Sequence, residues 1–173
     1  MKKDIFSIQI YKYKVQNWPD KKIKLLNLFD NQPNKIIGNV ITSPIDIKAD
    51  ILFDEIKLFE NDIKLNFNVG QVWFQRYKEK MNHAVHTHGP LGFSSVCFIE
   101  YNKSNHHPTT FVSPFLNNIT GIHEQYQPDI DEGDIIFFPS NLMHYVPTNL
   151  TKVTRTIMSF NLHIANKTII NYN

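Results

Sequence analysis

The residues with the clearest chemical potential in this sequence are histidines, of which there are eight. Three of them, His83, His86 and His88, lie in the segment HAVHTHG, and His86 and His88 are two residues apart. Side chains two residues apart in an extended strand point to the same face, so these two imidazoles project together. They can therefore share one metal ion if the strand borders a cavity. On a solvated face, the same spacing is common and carries no function.

The other histidines offer less. His83 is three residues before His86, so strand alternation places it on the opposite face. We interpret His83 as a structural or rim residue rather than a ligand. Four further histidines have no second ligand at a suitable spacing in the sequence, so we assign them no metal role. They are His106, His107, His123 and His163.

A second segment, EGDIIFFPSNLMHYV, combines a turn, a buried strand and a histidine, His144, that follows the strand. Arg155 comes eleven residues later, at the start of the apolar segment RTIMSFNL. A buried arginine needs an anionic partner, because an uncompensated charge in a core is expensive. Few acidic residues lie near Arg155 in the sequence, so a bound carboxylate ligand is a candidate partner. A guanidinium group can bind a carboxylate through two parallel, charge-assisted hydrogen bonds.

These residues require strands to position them, and the hydrophobic pattern alternates from about residue 69 onward. Candidate strands recur roughly every 8–12 residues without intervening helices, which indicates an antiparallel sandwich or jelly roll. The predicted strands cover residues 71–78, 83–88, 93–101, 109–113, 122–127, 134–138 and 154–164.

The N-terminal part has a different pattern. Alternation predicts a strand over residues 5–15, which as an edge strand could pair between chains. The sequence Asn17-Trp18-Pro19 predicts the start of a short helix whose apolar face consists of Ile23, Leu26 and Phe29.

A second helix is predicted to begin at Ser43-Pro44, with Asp46 in its first turn, where it favours the helix dipole. This helix would pack on the outer face of one sheet. Its apolar stripe consists of Ile45, Ala49, Leu52, Ile56, Phe59 and Ile63.

Length and composition indicate a soluble, cytoplasmic protein, and they leave open whether it is a monomer or homodimer. The 173 residues fit one domain over 1–173, with 1–68 as an N-terminal strand and helical support and 69–165 as a jelly-roll core. The net charge of +2 without Lys/Arg blocks gives no strong nucleic-acid signal. A single cysteine, Cys97, excludes an internal disulfide framework, and no apolar run reaches membrane-spanning length.

The order of these motifs resembles the iron(II)/2-oxoglutarate-dependent oxygenases, and is closest to their short, prolyl-hydroxylase-like branch. The resemblance covers about residues 69–163 and implies a double-stranded β-helix (a cupin-like jelly roll). Together with the helices predicted above, this gives a mainly β protein with N-terminal helices. The matching motifs are Trp73 with Tyr77, His86 with His88, the segment 94–98, the segment from Gly133 to Ser140, His144 and Arg155.

The resemblance implies that His86 and His144 are iron ligands and that Arg155 binds the far carboxylate of 2-oxoglutarate, whose keto acid end chelates the iron. His88 occupies a position that is Asp or Glu in most of the superfamily. Either His88 coordinates the metal, giving three imidazole ligands, or water takes its place. We favour coordination, since imidazole is a good iron ligand and His88 shares a face with His86.

The activity implied is hydroxylation of a C–H bond with iron(II), 2-oxoglutarate and O2, coupled to decarboxylation of 2-oxoglutarate to succinate. The substrate would be a peptidyl residue, with proline as the leading candidate, or a small metabolite. Gln75 and Tyr77 share a strand face and could bind 2-oxoglutarate or line the substrate channel. Ser159 and Asn161 share a face with Arg155 and are further candidates for the cavity.

Two other classes stay open. A cupin-type enzyme could use three histidines and a metal without 2-oxoglutarate, but such sites commonly carry a glutamate soon after the His pair. Here none occurs before Glu100. A non-catalytic β-sandwich would have no reason to hold the ordered set of three histidines and Arg155.

Overall fold

The computed structural model describes residues 7–45 and 49–165, which form two antiparallel sheets and two helices. The helices are α1 (Trp18–Asp30) and α2 (Phe53–Ile63), the latter preceded by a 3-10 turn over Asp50–Leu52. The strands are β1 (Tyr11–Lys14), β2 (Lys35–Ile37), β3 (Val40–Ile45), β4 (Phe67–Tyr77), β5 (His83–His86), β6 (Phe93–Glu100), β7 (Thr110–Leu116), β8 (His123–Tyr126), β9 (Asp134–Pro139), β10 (His144–Val146) and β11 (Arg155–Ile164).

The two sheets pack face to face as a jelly roll, which confirms the predicted fold class. The larger sheet has the strand order β1-β9-β6-β11-β4-β3-β2, and the smaller has the order β5-β10-β7-β8. From Ile135 to Phe138, strand β9 is a continuous apolar run, because both of its faces are buried. Ile136 and Phe138 contribute to the core cluster that also holds Tyr77 and Phe98, while Phe137 packs on the opposite side, beneath the helices.

Helix α2 covers the outer face of the larger sheet. The ring of Phe59 stacks on Phe137, with centroids 4.5 Å apart and planes 3° from parallel. Ala49, Leu52 and Ile56 of the predicted stripe are also buried.

The start of this second helix differs from the prediction. Ser43 and Pro44 belong to β3 and pair with Phe74 and Trp73 of β4, so they do not begin a helix. Strand β3 pairs with β2 only as far as Thr42. Pro44 lies beyond that point, so its missing N–H removes no hydrogen bond between β2 and β3. Asp46 lies outside the described residues.

The first helix forms as predicted, but its buried face is different. Ile23 is 60% exposed, and the buried residues are Leu25 and Phe29. Phe29 packs edge-on against Phe74, and Leu25 lies one turn before it on the same face. Ile23, six residues before Phe29, is rotated by about 120° from that face.

The N-terminal part also contributes strands that the sequence pattern did not predict correctly. The first strand covers only Tyr11–Lys14 of the predicted 5–15; residues 7–10 are not strand, and 5–6 lie outside the described residues. It pairs with β9 at the sheet edge, and β3 pairs with β4. No helix within 7–45 and 49–165 is both long and apolar enough to cross a membrane.

Candidate metal centre

Three histidines meet between the sheets, with one ligand atom of each lying within 4.8 Å of the others. His86 ends β5 and is paired directly with His144, the first residue of β10. His88 lies beyond the end of β5, where its backbone N–H donates to the Ser140 carbonyl at 2.8 Å. This bond turns the chain so that the Nε2 atoms of His88 and His144 are 3.2 Å apart.

Backbone carbonyls fix the tautomers of two of these rings. Nδ1 of His86 is 2.7 Å from the Ala84 carbonyl, and Nδ1 of His144 is 2.8 Å from the Leu142 carbonyl. A carbonyl only accepts, so both Nδ1 atoms must donate; in the neutral form of each ring the lone pair is then on Nε2. A metal-binding imidazole usually donates a hydrogen bond from the ring nitrogen that does not bind the metal, as Nδ1 does here.

The donor set fits a divalent metal ion. Burial lowers the pKa of His144 to about 3 and that of His88 to about 4, so both rings are neutral at physiological pH. Two nitrogens that each lie about 2.1 Å from one ion, at a right angle, are about 3 Å apart. The 3.2 Å separation of His88 and His144 is close to that value.

Alternation predicted that His83 lies on the face of the strand opposite to His86, and this prediction is wrong. In the pairing of β5 with β10, His86 is opposite His144 and His83 is opposite Val146, so three steps on one strand match two on the other. This bulge shifts the alternation by one residue and turns His83 to the same side as His86. The two rings stack, with centroids 4.1 Å apart.

Arg155 is buried and lacks a charged partner; it contacts Thr109, which lines the cavity beside the histidines. The residue is 2% exposed, and none of the ion pairs among the described residues involves it. Nη2 donates to Thr109 Oγ1 at 3.4 Å, while Nε and Nη1 have no hydrogen-bond partner. Burial lowers the pKa of the guanidinium group, although the rings of Tyr77 and Phe98 face it at 5.1 and 5.5 Å. Such orphaned donors fit an anionic ligand.

The other candidates for binding 2-oxoglutarate divide into three groups. Gln75 and Ser159 line the cavity beside the histidines. Tyr77 lies under Arg155, and its hydroxyl donates to Gln75 Oε1 at 2.9 Å. Asn161 does not line that cavity, and its Oδ1 accepts a hydrogen bond from Ser94 Oγ.

The sequence pattern did not identify Thr109 or the hairpin of β2 and β3 as parts of the site. Thr109 is 1% exposed and contacts Arg155; its only signal was a pair of threonines at the start of a predicted strand. The hairpin borders a wider cleft that shares Trp73, Gln75, His83 and His88 with the inner cavity. The cleft is lined by Ile37, Val40, Thr42, Gln71, Trp73, Gln75, His83 and His88.

Comparisons with known proteins bear on the family and the fold of the chain. A family model described as "Putative 2OG-Fe(II) oxygenase" matches residues 71–161. A search of curated proteins finds no match to the sequence.

Solved structures show the same fold at low sequence identity. A viral collagen prolyl hydroxylase from Paramecium Bursaria Chlorella virus-1, solved with 2OG, is 14% identical, with a TM-score of 0.64 over 91% of this chain and 96% of the other. A prolyl-4-hydroxylase from Pseudomonas putida is 12% identical, with a TM-score of 0.64 over 92% and 95%. The epimerase SnoN from nogalamycin biosynthesis is 13% identical, with a TM-score of 0.73 over 90% and 78%.

Proposed function

The chain belongs to the 2OG-Fe(II) oxygenase family, and from this premise we propose that it is a hydroxylase that inserts oxygen into a C–H bond. Iron(II) and 2-oxoglutarate are the cofactor and cosubstrate of this family, and O2 is its oxidant. The observation that carries the proposal is the pairing of three clustered imidazoles with a buried arginine whose Nε and Nη1 lack partners.

The proposed metal ligands are His86, His88 and His144. His86 and His144 present free Nε2 lone pairs because their Nδ1 atoms donate to carbonyls. The short distance between the Nε2 atoms of His88 and His144 supports coordination by His88 as well. All three ligands are then neutral, and the site lacks the negative charge that a carboxylate ligand supplies in most of the superfamily.

Arg155 is proposed to bind the far carboxylate of 2-oxoglutarate through its Nε and Nη1 donors, with the Tyr77 ring against its guanidinium group, while Ser159 lines the cavity beside the histidines. Fixing that end of the molecule limits the orientations in which its keto acid end can reach the histidines. An arginine in this water-poor pocket also binds an anion more strongly than an exposed one, because charge interactions weaken in water.

The bound iron and 2-oxoglutarate supply the oxidising power from O2 that breaks the C–H bond, and 2-oxoglutarate leaves as succinate and CO2. The contribution of the chain is to hold three ligands on one side, leave other positions open and exclude water. Trp73, whose ring is 5.2 Å from that of His88, shields this side of the cluster.

For the substrate, we propose a peptidyl residue, with proline as the first candidate, or a small metabolite. Two of the similar folds are prolyl hydroxylases, which supports the first choice, while the epimerase shows that this fold serves other chemistry. We also propose that residues 69–165 act as the catalytic core and that 1–68 support it.

The proposal is tested by anaerobic titration of the iron(II)-loaded protein with 2-oxoglutarate, followed by visible spectroscopy. We expect the metal-to-ligand charge-transfer band of chelated 2-oxoglutarate, and succinate release after O2 is added. Iron binding without the band would instead support a three-histidine cupin that does not use 2-oxoglutarate. No metal binding would support a non-catalytic β-sandwich.

A further inference from the structure

A chain of hydrogen bonds fixes the orientation of His83. The Tyr77 hydroxyl donates to Gln75 Oε1 at 2.9 Å, so the amide nitrogen of Gln75 faces the other way. That nitrogen is 3.0 Å from Nδ1 of His83. The amide can only donate there, which makes Nδ1 the acceptor and leaves the ring proton on Nε2.

The Nε2–H group of His83 is unpaired in the part of the chain that the structure describes. Within residues 7–45 and 49–165, no side chain or backbone group forms a hydrogen bond with it. The ring itself is held firmly, because it stacks on His86 on one side and Gln75 anchors its Nδ1. A fixed donor without a partner beside a reactive centre is typical of a group that binds a ligand.

His83 lies where the inner cavity and the wider cleft meet, since it lines both. None of the residues that line the cleft carries a carboxylate, ammonium or guanidinium group. Ile37, Val40 and Trp73 give it an apolar wall. Such a surface accepts an uncharged group and disfavours a charged one, which would lose its hydration without gaining a counter-ion.

We infer that His83 is a specificity-determining residue that donates a hydrogen bond from Nε2 to an oxygen acceptor, such as an amide carbonyl, of an uncharged substrate in the cleft. The inference rests on the proposed function, because the substrate must enter beside the three metal-binding histidines. Gln75 and Tyr77 act through His83, as residues that position its ring.

The test uses three related probes: N-acetylproline methylamide, which is neutral; N-acetylproline, which is an anion; and proline methylamide, which is a cation. Binding to the anaerobic protein loaded with iron(II) and 2-oxoglutarate is measured by calorimetry. We expect the wild type to bind the neutral probe at least tenfold more tightly than either charged probe. His83→Phe should weaken binding of the neutral probe by about three- to tenfold, the scale of one neutral hydrogen bond.

His83→Gln, which keeps a side-chain N–H, should bind the neutral probe within about threefold of the wild type. A merely structural role for the ring would predict that both variants lose binding alike. The inference is overturned if His83→Phe binds the neutral probe as tightly as the wild type, if a charged probe binds best, or if the wild type does not bind the neutral probe.

Failure of the proposed function would be visible separately, as loss of the charge-transfer band with 2-oxoglutarate in the wild type before any probe is added. His83→Phe must keep that band, since His83 is not one of the proposed ligands. Its loss in this variant alone would show that His83 supports the metal rather than the substrate, and would also overturn the inference.

Discussion

At the scale of single residues, the buried charge of Arg155 is the feature that folding alone explains least. Arg155 places a charge in the core without an acidic partner, and Thr109 satisfies only one of its donors. Burying such a charge opposes folding unless a ligand compensates for it. The residue is therefore better explained by binding than by stability.

Replacing Arg155 with methionine separates these two roles. We expect Arg155→Met to keep iron(II) but to weaken 2-oxoglutarate binding by about 2–5 kcal/mol, the scale for loss of one partner of a buried charge pair. Its free energy of unfolding without ligands should stay unchanged or rise, because an apolar chain of similar length replaces an uncompensated charge. Spectroscopic titration and denaturant unfolding measure the two effects.

The control is Lys152→Ala, which removes an exposed positive charge three residues away. It should leave both quantities unchanged. Unchanged 2-oxoglutarate affinity in Arg155→Met would place the cosubstrate elsewhere.

The absence of a carboxylate from the ligand set leads to a second residue-scale prediction. His88→Asp adds a negative charge next to the metal, so we expect iron(II) to bind more tightly and 2-oxoglutarate, an anion, to bind less tightly. Paired titrations with iron and with 2-oxoglutarate measure the two shifts, which should have opposite signs. His88→Asn is the matched neutral control. Loss of all iron binding in His88→Asp would mean that the surrounding packing requires an imidazole.

At the scale of elements, helix α2 holds the larger sheet through one aromatic cluster. Phe59 contacts the rings of Tyr11, Phe67, Phe93 and Phe137, all with centroids 4.5–5.6 Å away. It is fully buried, whereas Phe53 on the same helix is 54% exposed.

Truncation of these two phenylalanines should therefore differ in cost. We expect Phe59→Ala to lower the free energy of unfolding by about 3–5 kcal/mol, through lost burial and the cavity that remains. Phe53→Ala should change it by less than about 1 kcal/mol. Denaturant unfolding of both variants is the measurement, and equal effects would show that α2 does not hold the sheet through Phe59.

Features that depend on one segment of the chain could be predicted from the sequence, whereas features that depend on the pairing of two segments could not. Strong alternation and turn residues located most strands of the two sheets, and the period of the stripe identified the buried side of the 3-10 turn at Leu52 and of α2 at Ile56 and Phe59. The orientation of His83 could not be predicted, because a bulge is a property of the pairing between two strands and not of either segment alone. The strand at Ser43-Pro44 was mistaken for a helix start because proline suits both positions.

At the scale of the whole molecule, the candidate site is assembled from both sheets. His86 and His144 lie in the smaller sheet, while Gln75, Arg155 and Ser159 lie in the larger one. The order of the motifs along the chain suggested this set, but the contacts exist only when the sheets pack together. Any ligand that bridges the histidines and Arg155 must therefore stabilise the packed state over the unfolded chain.

This bridging predicts a stepwise effect on thermal unfolding. Iron(II) should raise the Tm of the wild type, and 2-oxoglutarate should raise it further; a ligand at 100 times its Kd adds about 2.7 kcal/mol. His144→Ala should lose both increments, because the metal is then held too weakly to chelate the cosubstrate. Arg155→Met should keep the first increment and lose most of the second.

His107→Ala, which removes an exposed histidine, is the control and should behave as the wild type. If 2-oxoglutarate stabilised the protein equally without iron, or stabilised Arg155→Met as much as the wild type, it would not bridge the two sheets through these residues.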